Sequence, residues 1–412
     1  MKNSTNFILL ILYKVRVGGR NLIMFYWYSL RYALKIKMKT RQYSSNNKIE
    51  IHNYISNYEV SDESLVFIFS DKQFLTKEIS KILKDKFKDI PIIACSTAGE
   101  IVQTNVFEGS FTLTTVSFVH SYVRLCSFKV LNKEDSFLVG SQLVDNLLND
   151  ELKHIFVLSD GLNVNGTNLV NGINSVTNGK VSVSGGLAGD GVHFNSTLVS
   201  DESGDFCENI VTAIGLYGDR LNVNCSSEGG WEIFGKERIV TKSDENIVYE
   251  IDHKPALDLY KVYLGDKAKY LPSSGLLFPL SLETADGSVV RTILGVNEAE
   301  NSIRFAGNIP ENSSVRLMKT NIDSVLNAAE LASLQISRRN EEKAGLVILV
   351  SCIGRKLVLK QIVQEEVELV SKYFSEDFSL TGFYSYGELS STNSKVCSLH
   401  NQTMTLTLIT EK

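Results

Sequence analysis

One short passage recurs three times along this 412-residue chain, and that repetition constrains the fold more than any other feature. The first copy reads Val66-Phe67-Ile68-Phe69-Ser70-Asp71, a helix-like stretch, then Ile92-Ile93-Ala94-Cys95-Ser96-Thr97-Ala98-Gly99-Glu100. The second reads Ile155-Phe156-Val157-Leu158-Ser159-Asp160, a spacer, then Val181-Ser182-Val183-Ser184-Gly185-Gly186 and Gly189-Asp190-Gly191. The third reads Leu346-Val347-Ile348-Leu349-Val350-Ser351-Cys352, a helix-like stretch, then Leu380-Thr381-Gly382-Phe383-Tyr384-Ser385-Tyr386-Gly387-Glu388. Each copy is a buried strand ending in a small polar residue, a crossover, a second strand and a loop pairing glycine with an acid.

In the first copy, Ile79, Ile82, Leu83 and Phe87 form a helical stripe with lysines on the other face. A crossover of that length joins parallel neighbours and is right-handed. Residues 110–118 and 122–131 alternate like half-buried antiparallel strands, which predicts a hairpin in the same sheet. The expected class is therefore α/β: mixed β-sheets covered by helices, built from repeated strand-helix-strand-hairpin units. Helices are expected at 136–149, 255–265 and 322–338, and Gly-turned strands at 276–318. Gly229-Gly230-Trp231 reads as a turn between two tightly joined domains, 49–225 and 226–412.

Charge is unevenly spread. Residues 1–48 carry ten Lys or Arg and no acid, which leaves 32 basic against 47 acidic side chains in 49–412, a net of −15. So acidic a body excludes nucleic acid as its partner. Within residues 1–48, Lys14, Arg16, Arg20 and Arg31 interrupt the apolar runs, so a spanning helix is not expected. An interfacial anchor around Trp27, a disordered extension and a coding start placed too early, with Met38 the true start, are the alternatives. Membrane contact is expected only through residues 1–37. Six cysteines without a C-x-x-C pair suit a reducing cytoplasm.

The candidate chemistry sits at strand ends. Ser70-Asp71, Ser159-Asp160 and Ser351-Cys352 each enter a helix, where ligands commonly bind in sheets of this kind. Facing loops supply Cys95, Ser96, Thr97, Gly99 and Glu100, then Gly189 and Asp190, then Tyr384, Tyr386 and Glu388. Glycines, hydroxyls and single acids match a small zwitterion such as an amino acid. The plainer alternative is that the acids cap helices and tie turns. Arg355 suits a ligand carboxylate or a loop tie by bidentate bonds. Cys352 beside Arg355 is the candidate nucleophile for a cysteine-dependent enzyme, although no histidine is near it in sequence to act as base. No paired-histidine spacing or acidic cluster suggests zinc or calcium.

Together these motifs resemble the FIST sensory domain. Its N-terminal half is matched by Ile93–Ile101 and by Gly186-Leu187-Ala188-Gly189-Asp190-Gly191 with Phe194. Its C-terminal half is matched by Lys254-Pro255-Ala256 with Tyr260, by Ser351-Cys352-Ile353-Gly354-Arg355, by Gly382–Glu388 and by His400-Asn401-Gln402-Thr403, which adds Asn401 to the ligand-site candidates. The resemblance spans about 49–412 and implies a small-ligand sensor of signal transduction with no catalysis of its own. No output domain follows the match, so the expected partner is a separate histidine kinase or cyclic-di-GMP enzyme. Some stand-alone members resembling this chain are haem-binding nitric oxide sensors. A b-type haem needs an axial side chain and an apolar slot, and His400 is the candidate ligand.

Overall fold

The computed structural model describes residues 12–17, 20–25, 38–284, 287–391 and 395–412. Of the N-terminal extension, Leu12–Val17 and Arg20–Phe25 pair as an antiparallel hairpin, a unit separate from the body that begins at Met38. Residues 1–11, 18–19 and 26–37, with the anchor expected around Trp27, lie outside the described residues. Among the described residues no helix is long and apolar enough to cross a membrane.

The folded body starts at Met38, eleven residues before the expected boundary at 49. Lys39–Ser45 is a strand running antiparallel to Phe111–Ser117. This reveals the full repeat, which is larger than the passage visible in sequence: an outer strand, a helix, an inner strand, a second helix, a parallel strand, a short ribbon and a closing strand. In the first repeat these are Lys39–Ser45, Lys48–Asn57, Leu65–Ser70, Lys77–Phe87, Ile92–Ser96, the ribbon Glu100–Val102 with Asn105–Phe107, and Phe111–Ser117. The second runs through Tyr122–Lys129, Ser136–Leu147, Leu152–Ser159, Gly166–Thr177, Ser182–Leu187, the ribbon Val199–Ser200 with Phe206–Cys207, and Ile210–Tyr217. The third runs from Leu221–Glu228 through Ile322–Ser337, Gly345–Cys352, Ile353–Leu359 with Val363–Ser371, Phe378–Ser385, the ribbon Gly387–Ser391 with Cys397–His400, and Met404–Glu411.

The predicted parallel crossover is present in every repeat. The hairpin expected of 110–118 with 122–131 does not form: Phe111–Ser117 lies between Leu65–Ser70 and Lys39–Ser45 in the first repeat's sheet, whereas Tyr122–Lys129 opens the second repeat and pairs with Ile210–Tyr217. Each ribbon leaves its own sheet and completes another: Glu100–Val102 pairs with Phe378–Ser385 of the third repeat, Val199 with Cys95 of the first, and Gly387–Ser391 with Ser182–Leu187 of the second. The exchange closes a ring of three six-stranded sheets. It also crosses residue 225 twice, so the two sequence halves share sheets.

The inner strands are nearly all apolar because both of their faces are buried. Their side chains meet in a common core, with Phe67 edge-on to Phe156 at 5.7 Å and Phe69 against Phe383 at 4.7 Å. Helices cover the outside by amphipathic stripes: Ile79, Leu83 and Phe87 are buried beneath Lys77–Phe87, which Thr76 caps. Between the third repeat's outer strand and its first helix lies an all-β insertion with one helix, Ala256–Leu264. It has its own core around Leu257, Tyr260, Phe305 and Val315.

Candidate ligand-binding site

The repeat places equivalent residues in register. Asp71, Asp160 and Cys352 each donate a backbone N–H to the carbonyl of the residue that leads into or opens the closing strand, Ser110, Ile210 and Thr403. Just before that residue stand Gly109, Asn209 and Gln402, all left-handed at φ 66°, 57° and 67°. The inner and parallel strands pair Ser70 with Ser96, Ser159 with Leu187 and Ser351 with Tyr384. Counting on from those pairs makes Glu100 equivalent to Gly191 and Glu388.

Two repeats therefore carry the same cradle. Glu100 accepts from the Thr97 hydroxyl, from Ser110 N–H (3.1 Å) and from Ser110 Oγ (2.8 Å). Glu388 accepts from Ser385 Oγ (2.6 Å), Thr403 N–H (3.2 Å) and Thr403 Oγ1 (3.0 Å). Both carboxyls are buried. Burial pushes Glu100 up to about 7, with Asp71 adding to the rise while the donors pull down. Burial pushes Glu388 up to about 8, opposed by Ser385, Thr403 and Arg355. The second repeat has glycine at this position. Its acid, Asp190, stands one residue earlier and has another task. It accepts from Phe194, Asn195 and Ser196 N–H at 2.9–3.0 Å and from the Tyr386 hydroxyl, which ties the 191–196 loop to the third repeat.

Only one cradle opens on a large cleft among the described residues. A cavity of about 810 Å³ is walled by all three repeats: Asp71, Thr97–Glu100, Glu108 and Gly109 from the first, Asp190–His193 from the second, and Ile353, Lys356, Leu357, Lys360 and Gln361 from the third. Its volume falls within the range of small-molecule pockets, about 300–1,000 Å³. Lys356 is the cation set into its wall. Its Nζ donates to Ala98 O at 2.7 Å, pairs with Glu108 at 2.7 Å and lies 5.6 Å from the Tyr384 ring centroid. Gly99 is required here: its φ is +141°, and a Cβ would stand 2.8 Å from Lys356 Nζ.

Of the residues expected from sequence, Thr97, Gly99, Glu100 and Asp190 line this cleft. Cys95, Ser96 and Gly189 support it from behind. Ser96 exchanges bonds with Leu198, and Gly189 N–H donates to Ser96 O at 3.0 Å. Burial and nearby Glu100 hold the Cys95 thiol well above its ordinary value.

Arg355 cannot be the carboxylate anchor. It is fully buried, with its donors on Glu366 (2.7 Å from Nε), Val325 O (2.8 Å), Gly229 O and Gln402 O. Glu366 also accepts from Ser351 and from Tyr384 OH, so Tyr384 belongs to that internal ion pair. Tyr386 stacks on Phe194 at 4.5 Å and serves Asp190. Cys352 is buried, and burial with Glu388 nearby drives its thiol well above the ordinary range, the opposite of an activated nucleophile. Glu388, Asn401 and His400 lie away from the open cleft. Asn401 is buried, and burial with Arg291 nearby lowers His400 to about 4. Among the described residues no group of three or more His, Cys, Asp or Glu is placed to hold a metal.

Sequence reasoning missed Lys356, Glu108 and Glu366. Lys356 adjoins the Arg355 of the motif, and Glu108-Gly109 is an acid-glycine turn before a strand. Glu366 shares the buried helix face of Val367 and Val370.

A three-repeat α/β ring with one charged, solvent-open cleft between its repeats has the form of a ligand-binding module. Comparison with known families agrees. Residues 64–254 match the FIST N domain and residues 256–391 the FIST C domain. The chain belongs to the FIST family, whose domains are small-ligand sensors of signal transduction. An uncharacterized protein of Methanocaldococcus jannaschii is 27% identical over 177 residues, 39% of this chain. The match spans only about a third (33%) of that relative's length. Among solved structures, a cyanuric acid hydrolase from A. caulinodans aligns over 91% of this chain and 99% of its own, at 6% identity and a TM-score of 0.36, too distant to bear on function.

Proposed function

We propose that this protein is a cytoplasmic, non-catalytic sensor that binds a small amino-acid-like molecule in the cleft and regulates a separate signalling protein. The observation that carries this is the cleft itself: about 810 Å³, walled by three repeats, with Lys356 set into one wall and Asp71 in another. Lys356 takes the ligand's carboxylate, because a cation only 13% exposed is poorly hydrated and pairs strongly with an anion. Asp71, one of whose oxygens already accepts from Gln73 N–H at 2.9 Å, takes the ammonium. A ligand touching three repeats that exchange strands biases their mutual arrangement, and a histidine kinase or cyclic-di-GMP enzyme reads that bias. The family supports the sensory role.

The test is a thermal-shift screen of the twenty amino acids, followed by recovery of partners on immobilised protein with and without the best ligand. A melting temperature raised by one amino acid in wild type and unmoved in Lys356→Met is the expected result. No shift with any amino acid would overturn the reading.

The haem reading fits the residues less well. The cleft's lining is charged, with Asp71, Glu100, Glu108, Asp190, Lys356 and Lys360, whereas haem requires an apolar slot. His400, the candidate ligand, is not among the lining residues. An absorption spectrum of protein expressed with haem supplied separates the two: a Soret band that shifts with nitric oxide would replace the amino-acid reading.

A further inference from the structure

Two positions can be matched by count across the three repeats, and the side chains at them differ in an informative way. The ribbon of one repeat ends beside the helical entry of the neighbour it completes. At the ribbon end, two residues before Ser110, Ile210 and Thr403, stand Glu108, Glu208 and Asn401. Four residues after Cys352, Asp71 and Asp160 stand Lys356, Leu75 and Val164. By that count Glu108 and Lys356 correspond to Glu208 and Leu75 and to Asn401 and Val164, and only the first combination can form an ion pair, which it does at 2.7 Å. Both members of that pair line the cleft.

Stability does not account for that pair. The Glu108 side chain is 75% exposed, and its partner Lys356 only 13%. Ion pairs with one arm in solvent contribute about 0–1 kcal/mol. Neither of the other two combinations contains a cation, so neither can form an ion pair. Glu108 is held at the cleft by Lys356 rather than by packing, and its carboxylate stands where a ligand carboxylate would bind.

We propose that Glu108 is a resident stand-in for the ligand: the incoming carboxylate displaces it from Lys356 and so unlatches the first repeat's ribbon from the third repeat's helix. The proposal rests on the reading of the cleft as the sensor's binding site. Its consequence follows from the chain's path. Glu108 lies between the strand Asn105–Phe107 and Gly109-Ser110, and Ser110 supplies two of the three bonds to Glu100. Ligand exchange at Lys356 therefore breaks a tie between the N-terminal and C-terminal halves and loosens the turn that holds Glu100. The signal to a partner begins there.

The experiment is calorimetric titration of the full chain with glycine, L-alanine and L-glutamate, and with methylamine as a carboxylate-free control. Wild type, Glu108→Gln, Glu108→Ala and Lys356→Met are compared. Removing the competitor is expected to tighten amino-acid binding about three- to tenfold in both Glu108 variants. Lys356→Met abolishes it, and methylamine shows no difference between wild type and the Glu108 variants. Amide hydrogen exchange across 104–109 rises on ligand addition in wild type and is already raised in Glu108→Gln. Binding unchanged or weakened in both Glu108 variants, with Lys356 still required, overturns the stand-in and leaves the binding site intact. Binding that survives Lys356→Met, or no binding in any variant, overturns the site reading and the stand-in with it.

Discussion

Glu100 and Glu388 sit in equivalent cradles, each receiving a hydroxyl three residues upstream and a hydroxyl and an N–H from the closing strand. One faces an open cleft of about 810 Å³; the other is sealed. Where the ribbon Gly387–Ser391 joins the second repeat, the insertion takes the cleft's place. Arg291 donates to Leu399 O at 3.1 Å, Glu245 receives Asn165 and Asn168 at 3.1 and 2.8 Å, and Asn308 bonds the same helix start. The cradle is thus a property of the repeat, and the site is a property of what covers it. A buried acid in a matched motif marks how the repeat folds before it marks where a ligand binds.

The sharpest way to break the comparison is to exchange the roles of two adjacent cations. Arg355→Ala leaves Glu366 buried without its partner and is expected to cost about 3–5 kcal/mol in denaturant unfolding. Lys356→Ala, one residue on, is expected to cost no more than about 1 kcal/mol while losing the ligand. Comparable losses of stability would dissolve the distinction between frame and site.

The cradles themselves are separable by pH. A carboxyl raised from 4.5 to about 7 or about 8 binds its proton more tightly in the folded state, so its contribution is complete below about 4.5 and is lost as pH rises. Wild-type stability should fall between pH 5 and 8, by an amount on the order of 3 kcal/mol per cradle. Gln can accept from the closing strand and donate to Thr97 or Ser385, so Glu100→Gln flattens the arm ending near 7 and Glu388→Gln the arm ending near 8. Urea unfolding across that range reads both. A profile unmoved by either variant removes the buried acids from the account.

A smaller effect separates the paired glycines. Gly99→Ala meets both a φ of +141° and Lys356 Nζ, and should cost about 1–3 kcal/mol. Gly387→Ala has no positive φ to oppose it and would meet Leu399 Cδ1 at 3.2 Å, so about 1 kcal/mol or less is expected. Equal shifts in melting temperature would mean that the cleft imposes nothing special on Gly99.

The sequence disclosed the parts that depend on local pattern. The inner strands announced themselves because burial on both faces demands unbroken apolar runs, and the stripe of Ile79, Leu83 and Phe87 marked its helix. Strand exchange left no such trace. Glu100–Val102 is three residues long, and its partner Phe378–Ser385 lies far along the chain, so nothing local distinguishes pairing at home from pairing with a neighbour. Thr97, Gly99 and Glu100 were legible as cleft residues because a glycine among small polar residues marks close backbone approach. Lys356 was obscured by Arg355. Successive helical residues point about 100° apart, so the motif's arginine turns into the core and the less conspicuous lysine turns into the cleft. Helical phase, not residue chemistry, decides between them.

The most direct test is calorimetric titration of the best-binding amino acid against wild type and Lys356→Met, with both proteins shown to melt alike. Saturable one-site binding in wild type and none in the variant is the predicted result. Undiminished binding in Lys356→Met would contradict the assignment of this cleft as the sensor's site.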